Sequence, residues 1–422
     1  MRFISPPSRT RRLVKRTSIA LLLLALSGAA YEQVRSLEDR NRFPQIGRSI
    51  DIGGRSLNIY CSGEGNPTVV LLSGGGLPGY SWILVQPEVG RVTRACWYDR
   101  AGEGWSDPAS DTQSSFSTAN DLNKLLHAAH ITPPYVLAGH SAGGFEARAF
   151  YRLYPNEVAG MVLVEASHED YGARIHVGNA WCPGCPRRPA LFLARVLGAI
   201  GLFRLFASQP GPPPEGMNPQ DWATIVSLQR QHQAILAGFP QDARANEEQM
   251  RAAGHLGTVP LVVLTGAKTF AVSDPHAAQE FAEAQRTWIE LQAGLARLST
   301  RGRHVVVERS GHMIPYEAPE AVVAAVLDIV ADVHRNGPAK ADTTDDVFVR
   351  RLRCVGRADR GHLEVRRTCA SALAISGWLG SSRRDLRKAA SALAGSPTAR
   401  HVRPNPFNAI VEGGPASSAR SK

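Results

Sequence analysis

Pro134-Tyr-Val-Leu-Ala-Gly-His-Ser-Ala-Gly-Gly144 is the stretch that decides the fold. An apolar run, Tyr135 to Ala138, leads into Gly139-His140-Ser141-Ala142-Gly143, and a helical pattern from Phe145 to Leu153 follows. G-x-S-x-G between a strand and a helix is the pattern of a nucleophile elbow, a sharp turn that lifts a serine hydroxyl above the end of a sheet. Glycines two residues either side of the serine let strand and helix approach closely.

Outward from the elbow, apolar runs alternate with helical patterns. The runs are Thr68 to Leu72, Cys96 to Tyr98, Met161 to Val164, Leu261 to Leu264 and Val305 to Val307, with a helix expected over Asp121 to His127. Alternating Ile50, Ile52, Leu57 and Ile59 around Gly53-Gly54 predict a hairpin over residues 47–61. Together these predict an α/β fold, a mostly parallel eight-stranded sheet with helices on both faces. Residues 168–258 are too long for a plain crossover and carry helical stretches around Ala190 to Phe206 and Trp222 to Phe239. They read as a helical cap inserted after the sixth strand.

A serine hydroxyl is a weak nucleophile at neutral pH and needs a base, itself oriented by a third group. His312, in Ser310-Gly-His-Met-Ile-Pro-Tyr between a strand and a helix, is the best-placed base, with His168, His176 and His304 as competitors. Glu165, at the carboxyl end of the strand after the elbow helix, is the preferred acid, and Asp274 is the alternative. An oxyanion needs two backbone N–H donors. Ala142 follows the nucleophile, and Gly75 stands in Ser73-Gly-Gly-Gly-Leu-Pro-Gly after an early strand. That glycine run lacks the Lys-Ser/Thr ending of a phosphate loop. No metal or organic cofactor is implied.

These residues resemble the α/β-hydrolase superfamily from about Gly47 to Val333. Tyr98-Asp-Arg-Ala-Gly-Glu-Gly-Trp-Ser-Asp, the elbow, Gly160-Met-Val-Leu-Val-Glu-Ala-Ser-His and Ser310-Gly-His look like a carboxylesterase-like or methyl-ester-esterase-like group. The resemblance implies an α/β-hydrolase fold, an acid at Glu165, and cleavage of a carboxylic ester through an acyl-enzyme on Ser141. Haloalkane dehalogenases and epoxide hydrolases on this fold carry aspartate in the elbow, so Ser141 points to acyl transfer instead. Two features depart from the group: Ser73-Gly74 stands where histidine-glycine is common, and the tail from residue 337 has no counterpart. Aminopeptidase, lactonase and acyltransferase activities share the same triad, and a non-catalytic binding scaffold is the reading of another class.

The net charge of +11 belongs to the ends of the chain. Residues 1–30 hold six Lys or Arg and no acid, residues 337–422 hold 16 basic against 7 acidic side chains, and the middle is net −4. A nucleic-acid partner is therefore not expected. Arg9 to Arg16, an apolar stretch from Ile19 to Leu26, and the small residues Ser27 to Ala30 read as an export signal or a short membrane anchor. The expected partners are a small ester substrate with an apolar group and, through the N-terminus, a membrane, with the protein exported to the periplasm, secreted, or anchored. The domain reading is 1–30 signal or anchor, 31–336 hydrolase domain, and 337–422 basic extension. Among six cysteines, Cys61 and Cys96 stand on strands expected to be neighbours and form the most arguable disulfide, Cys182 and Cys185 form a C-x-x-C, and Cys354 and Cys369 lie in the tail.

Overall fold

In the computed structural model the sheet is built from β1 (Arg48–Asp51), β2 (Ser56–Ser62), β3 (Thr68–Leu72), β4 (Ala95–Tyr98), β5 (Tyr135–His140), β6 (Val158–Val164), β7 (Leu261–Gly266) and β8 (Gly302–Val307). Residues 8–109, 113–175, 196–202, 204, 211–230, 243–268 and 275–337 are described. The strand order is β1-β2-β4-β3-β5-β6-β7-β8. β1 and β2 form an antiparallel hairpin, β2 lies antiparallel to β4, and every other pairing is parallel.

The central strands are apolar throughout because both sheet faces are covered. Side chains alternate across a strand, so Val70, Leu72, Leu137, Met161 and Leu163 enter one core while Val69, Leu71, Val136, Ala138, Val162 and Val164 enter the other. The first core is closed by Leu122 and Leu125 of α3 (Ser115–Ala128), Phe150 of α4 (Ala142–Leu153), Met250 of α7 (Ala243–Ala253) and Leu295 of α8 (Pro275–Ala296). The second is closed by Val89 of α2 (Gln86–Gly90), Ile225 of α6 (Pro219–Arg230) and Val322, Val326 and Ile329 of α10 (Pro319–Asn336). Two single turns, α5 (Tyr171–Arg174) and α9 (Ile314–Glu317), complete the helices of the described residues beyond the N-terminal helix α1 (Ser8–Arg42).

Cys61 and Cys96 stand directly opposite each other in the β2–β4 register and are joined by a disulfide. The other four cysteines lie outside the described residues, as do the tail from residue 338 and most of the expected cap helix at Ala190 to Phe206. The described parts of the chain between β6 and β7 include α5, α6, α7, residues 196–202 and residue 204.

The N-terminal segment forms a helix longer than its apolar stretch, in keeping with a signal or an anchor. α1 (Ser8–Arg42) is one unbroken helix of 35 residues and is long and apolar enough to cross a membrane by length and composition. Ser27, Gly28, Ala29 and Ala30 do not end it, because small residues are compatible with helix and the next proline, Pro44, lies just past its end.

Candidate active site

The sheet register sets the chemistry-bearing loops side by side. Leu72 pairs with Gly139, His140 with Val164, and Gly266 with Val307. The glycine run after β3, Ser141 after β5, Glu165 after β6 and the turn after β7 therefore leave the same carboxyl edge, where ligands bind in parallel sheets.

Ser141 takes φ 51 and ψ −118, a left-handed conformation rare for a side chain with a Cβ. The elbow is made sharp by absent side chains. A Cβ on Gly139 would sit 2.3 Å from the Gly143 carbonyl oxygen, and one on Gly143 would sit 2.2 Å from that of Leu72. The Ser141 N–H donates to the Val164 carbonyl at 3.0 Å, tying the elbow to β6.

Glu165 is buried and also left-handed, at φ 47. Its Oε1 accepts the Gly266 N–H at 2.7 Å, and the Trp288 indole N–H lies 3.1 and 3.0 Å from Oε1 and Oε2. The His312 Nδ1 is 3.1 Å from Oε2. The structure thus brings Glu165 and His312 together, with the His312 ring about half exposed beside a buried carboxylate. Asp274 lies outside the described residues. Of the competing histidines, His304 Nε2 bonds Thr265 Oγ1 at 2.9 Å, His168 Nδ1 accepts the Asp170 N–H at 3.0 Å, and His176 is outside the described residues. Neither Ser141 Oγ nor His312 Nε2 makes a hydrogen bond among the described residues. Such bonds often tighten only when substrate is bound.

The residue before the serine also shapes this edge. His140 is buried, and burial holds its pKa down at about 3, so the ring is neutral. Its Nε2 lies 2.9 Å from the His312 carbonyl oxygen and must carry the proton to donate there. The His312 loop is fixed further by Glu317 Oε2, which accepts the Gly311 N–H at 2.7 Å and the Ser310 hydroxyl at 3.0 Å.

Below the glycine loop lies a buried charge cluster. Arg100 Nη2 donates to the Ser73 carbonyl at 2.5 Å and Nη1 to the Gly74 carbonyl at 3.2 Å, while Glu103 Oε1 accepts the Gly76 N–H at 2.9 Å. In a planar trans peptide the carbonyl and the following N–H point opposite ways. Turning the Ser73 and Gly74 carbonyls toward Arg100 therefore turns the Gly74 and Gly75 N–H groups away from it. Neither the Gly75 nor the Ala142 N–H donates to another group among the described residues. Arg100 also bonds Glu146 at 2.7 Å and Glu103 at 3.2 Å, and Tyr98 donates to Glu146. Burial works against the Arg100 charge, but Glu146 and Glu103 outweigh it and keep the guanidinium protonated. Three buried carboxyls share this one cation, and burial pushes Glu103 up to about 7 and Asp99 up to about 6.

Sequence reasoning did not single out Trp288, His140, Arg100 or Glu103 for these contacts. Arg100 and Glu103 stand in the quoted Tyr98-Asp-Arg-Ala-Gly-Glu-Gly motif, which was the available signal. Trp288, on a distant helix, carries none. Among the described residues no group of three or more His, Cys, Asp or Glu is arranged to hold a metal ion. A cavity of about 410 Å³ lined by Tyr60, Tyr80, Gln86, Arg91 and Trp97 includes none of Ser141, Glu165 or His312.

A family model described as the alpha/beta hydrolase family matches residues 69–325, and the chain belongs to that family. YbdG of Bacillus subtilis is 26% identical over 147 residues, covering 34% of this chain and 45% of YbdG. YqjL of the same organism is 24% identical over 267 residues, covering 63% of this chain and 85% of YqjL. The match spans less than half the length of YbdG and 31% of an uncharacterized Schizosaccharomyces pombe protein. Among solved structures, a lipase candidate from Acinetobacter baumannii aligns over 72% of this chain and 97% of its own, with 20% identity and a TM-score of 0.51. An epoxide hydrolase candidate from Pseudomonas aeruginosa aligns over 69% and 96%, with 21% identity and a TM-score of 0.50. At these identities the structural likeness concerns the fold.

Proposed function

We propose that the protein is a serine hydrolase that cleaves a carboxylic ester through an acyl-enzyme on Ser141. The observation that carries this reading is the pairing of His312 Nδ1 with the buried Glu165 carboxylate, at 3.1 Å, on the edge where the Ser141 elbow emerges. Glu165 holds the imidazole in the tautomer with Nδ1 protonated, leaving Nε2 as the base. Ser141 Oγ attacks the ester carbonyl carbon as its proton passes to Nε2. The Gly75 and Ala142 N–H groups stabilise the oxyanion. Collapse breaks the carbonyl–alkoxy bond, and His312 returns the proton to the departing alcohol. Water, deprotonated by the same nitrogen, then attacks the acyl-enzyme and releases the acid and the free serine.

The structural neighbours include epoxide hydrolase candidates as well as a lipase candidate. The residue at the elbow favours the acyl route, because a serine ether formed by epoxide opening could not be hydrolysed by attack at a carbonyl. Turnover of short- and medium-chain p-nitrophenyl esters tests the reading. Activity in the wild type that Ser141→Ala and His312→Ala both abolish supports it. Activity that survives Ser141→Ala overturns it.

A further inference from the structure

The proposed chemistry makes no use of α1, yet that helix is tied to the cap. Leu21, Leu22, Leu23 and Leu24 are 67, 60, 59 and 71% exposed. Four consecutive helical residues point to all sides of the axis, so apolar surface is uncovered all round. An 18-residue window of the helix has mean hydropathy 1.5 and none of it is buried. A helix apolar all round needs an apolar surrounding, either protein or lipid. Residues Thr17 to Tyr31 carry no charge. They rise about 22 Å, and snorkelling of Lys15 and Arg16 extends their reach toward the roughly 30 Å of a hydrocarbon layer. Arg9, Arg11, Arg12, Lys15 and Arg16 precede this span without an acid, whereas Glu32, Glu38 and Asp39 offset Arg35, Arg40 and Arg42 after it. That asymmetry places the N-terminus on the cytoplasmic side and the sheet opposite, where the Cys61–Cys96 disulfide can persist.

From Gly28, in the last turn of the span, onward, α1 is bound to protein. Arg204 donates to Glu32 from Nε at 3.0 Å and from Nη2 at 3.1 Å, and from Nη1 to Asp39 at 2.6 Å. Glu32 is buried. A Cβ on Gly28 would meet the Ile200 carbonyl oxygen at 2.5 Å, so Ile200 lies directly on this turn of α1. From the clasp, α6 leads to the active-site edge. Arg230 at one end is within electrostatic reach of Arg204 and Asp39. Near the other, Asp221 accepts the hydroxyl of Tyr80, which follows the glycine loop, at 2.7 Å. The nine-residue step from Asp221 to Arg230 is about 14 Å of helix.

We propose that α1 stays in the chain as a membrane anchor clasped to the cap by Arg204, and that the enzyme draws a long-chain ester from the bilayer surface. The substrate assignment rests on the serine-hydrolase reading; the anchor does not. The clasp charges stand at headgroup level, immediately beyond the apolar span, and α6 sets the glycine loop about one short helix away. An ester dissolved in the bilayer would reach the site without crossing bulk water.

The test uses the full chain in vesicles of phosphatidylethanolamine and phosphatidylglycerol, with p-nitrophenyl palmitate dissolved in the same vesicles or p-nitrophenyl acetate in the water. Arg204→Gln and the pair Glu32→Gln with Asp39→Asn are compared with wild type. The expected result is a loss of 10-fold or more in kcat/KM on the membrane-borne ester in both variants, with acetate turnover unchanged within two-fold. Alkaline carbonate should leave the protein in the membrane fraction, with an intact mass that includes residues before Tyr31. Equal losses on both esters, no loss on either, or a carbonate-released chain beginning at or after Tyr31 would overturn the proposal, as would retention that depends on a second protein. Absence of both acetate turnover and fluorophosphonate labelling in wild type would overturn the hydrolase reading and the substrate assignment with it, while carbonate extraction still decides the anchor.

Discussion

Glu103→Gln should gain stability relative to wild type as pH rises through neutrality. Burial pushes the Glu103 carboxyl up to about 7 from an ordinary value near 4.5, with Arg100 and the Gly76 N–H only partly offsetting it. A carboxyl whose folded pKa is raised binds its proton more tightly folded than unfolded, so its stabilising effect is full below about pH 4.5 and is lost as pH rises through 7. The full difference is about 3 kcal/mol. Glutamine keeps one acceptor oxygen, for Gly76 or for Arg100, and turns its amide N–H₂ toward the other donor, a loss that does not vary with pH, and it carries no proton to lose. The stability of the variant relative to wild type should therefore rise by about 3 kcal/mol between pH 4.5 and pH 8, or roughly 6 °C in Tm. Thermal unfolding of both proteins in steps from pH 5 to 8.5 measures this. Asp99, raised to about 6, leaves a residual slope in the variant. Parallel curves would show that Glu103 does not titrate in this range in the folded protein.

Four further outcomes follow from the same structure. Glu165→Gln keeps the shape but not the charge beside His312 Nδ1, and kcat/KM on any ester should fall on the order of 10⁴-fold with the fold intact by circular dichroism. Trp288→Phe removes the indole donor to both Glu165 oxygens and should lower kcat about 10-fold with KM little changed, read from steady-state kinetics. Burial opposes the Glu169 charge, but the Arg148 bonds at 2.6 and 2.8 Å hold its pKa down at about 2. That stabilisation is present above 4.5 and lost as pH falls toward 2, so Glu169→Gln should flatten the acid limb of the stability curve. Reducing Cys61–Cys96, which closes a separation of 35 residues, should cost about 3–4 kcal/mol in denaturant unfolding.

The central strands were legible because a buried parallel sheet demands continuous apolar runs, and Thr68 to Leu72 is recovered as β3 with the same bounds. β5, β6, β7 and β8 extend beyond their apolar runs to His140, Val158, Gly266 and Gly302, since backbone pairing does not stop where side chains cease to be apolar. The pairing of Glu165 with His312 was anticipated from the strand each one follows. What a linear pattern could not carry was contact made across the fold. Trp288 reaches Glu165 over 123 residues, and Arg100 reaches Ser73 and Gly74 from a neighbouring strand end. The length of α1 is not legible from its dense apolar stretch, Ile19 to Leu26, because a helix continues through alanine, serine and charged residues alike.

The most direct test of the central claim is covalent labelling of the full chain with a fluorophosphonate, followed by mass analysis of the peptide that contains Ser141. One adduct is expected, on Ser141, absent in Ser141→Ala and formed about a hundred-fold more slowly, or slower still, in His312→Ala. A folded wild type that takes no label, or that takes it on another residue, would contradict it.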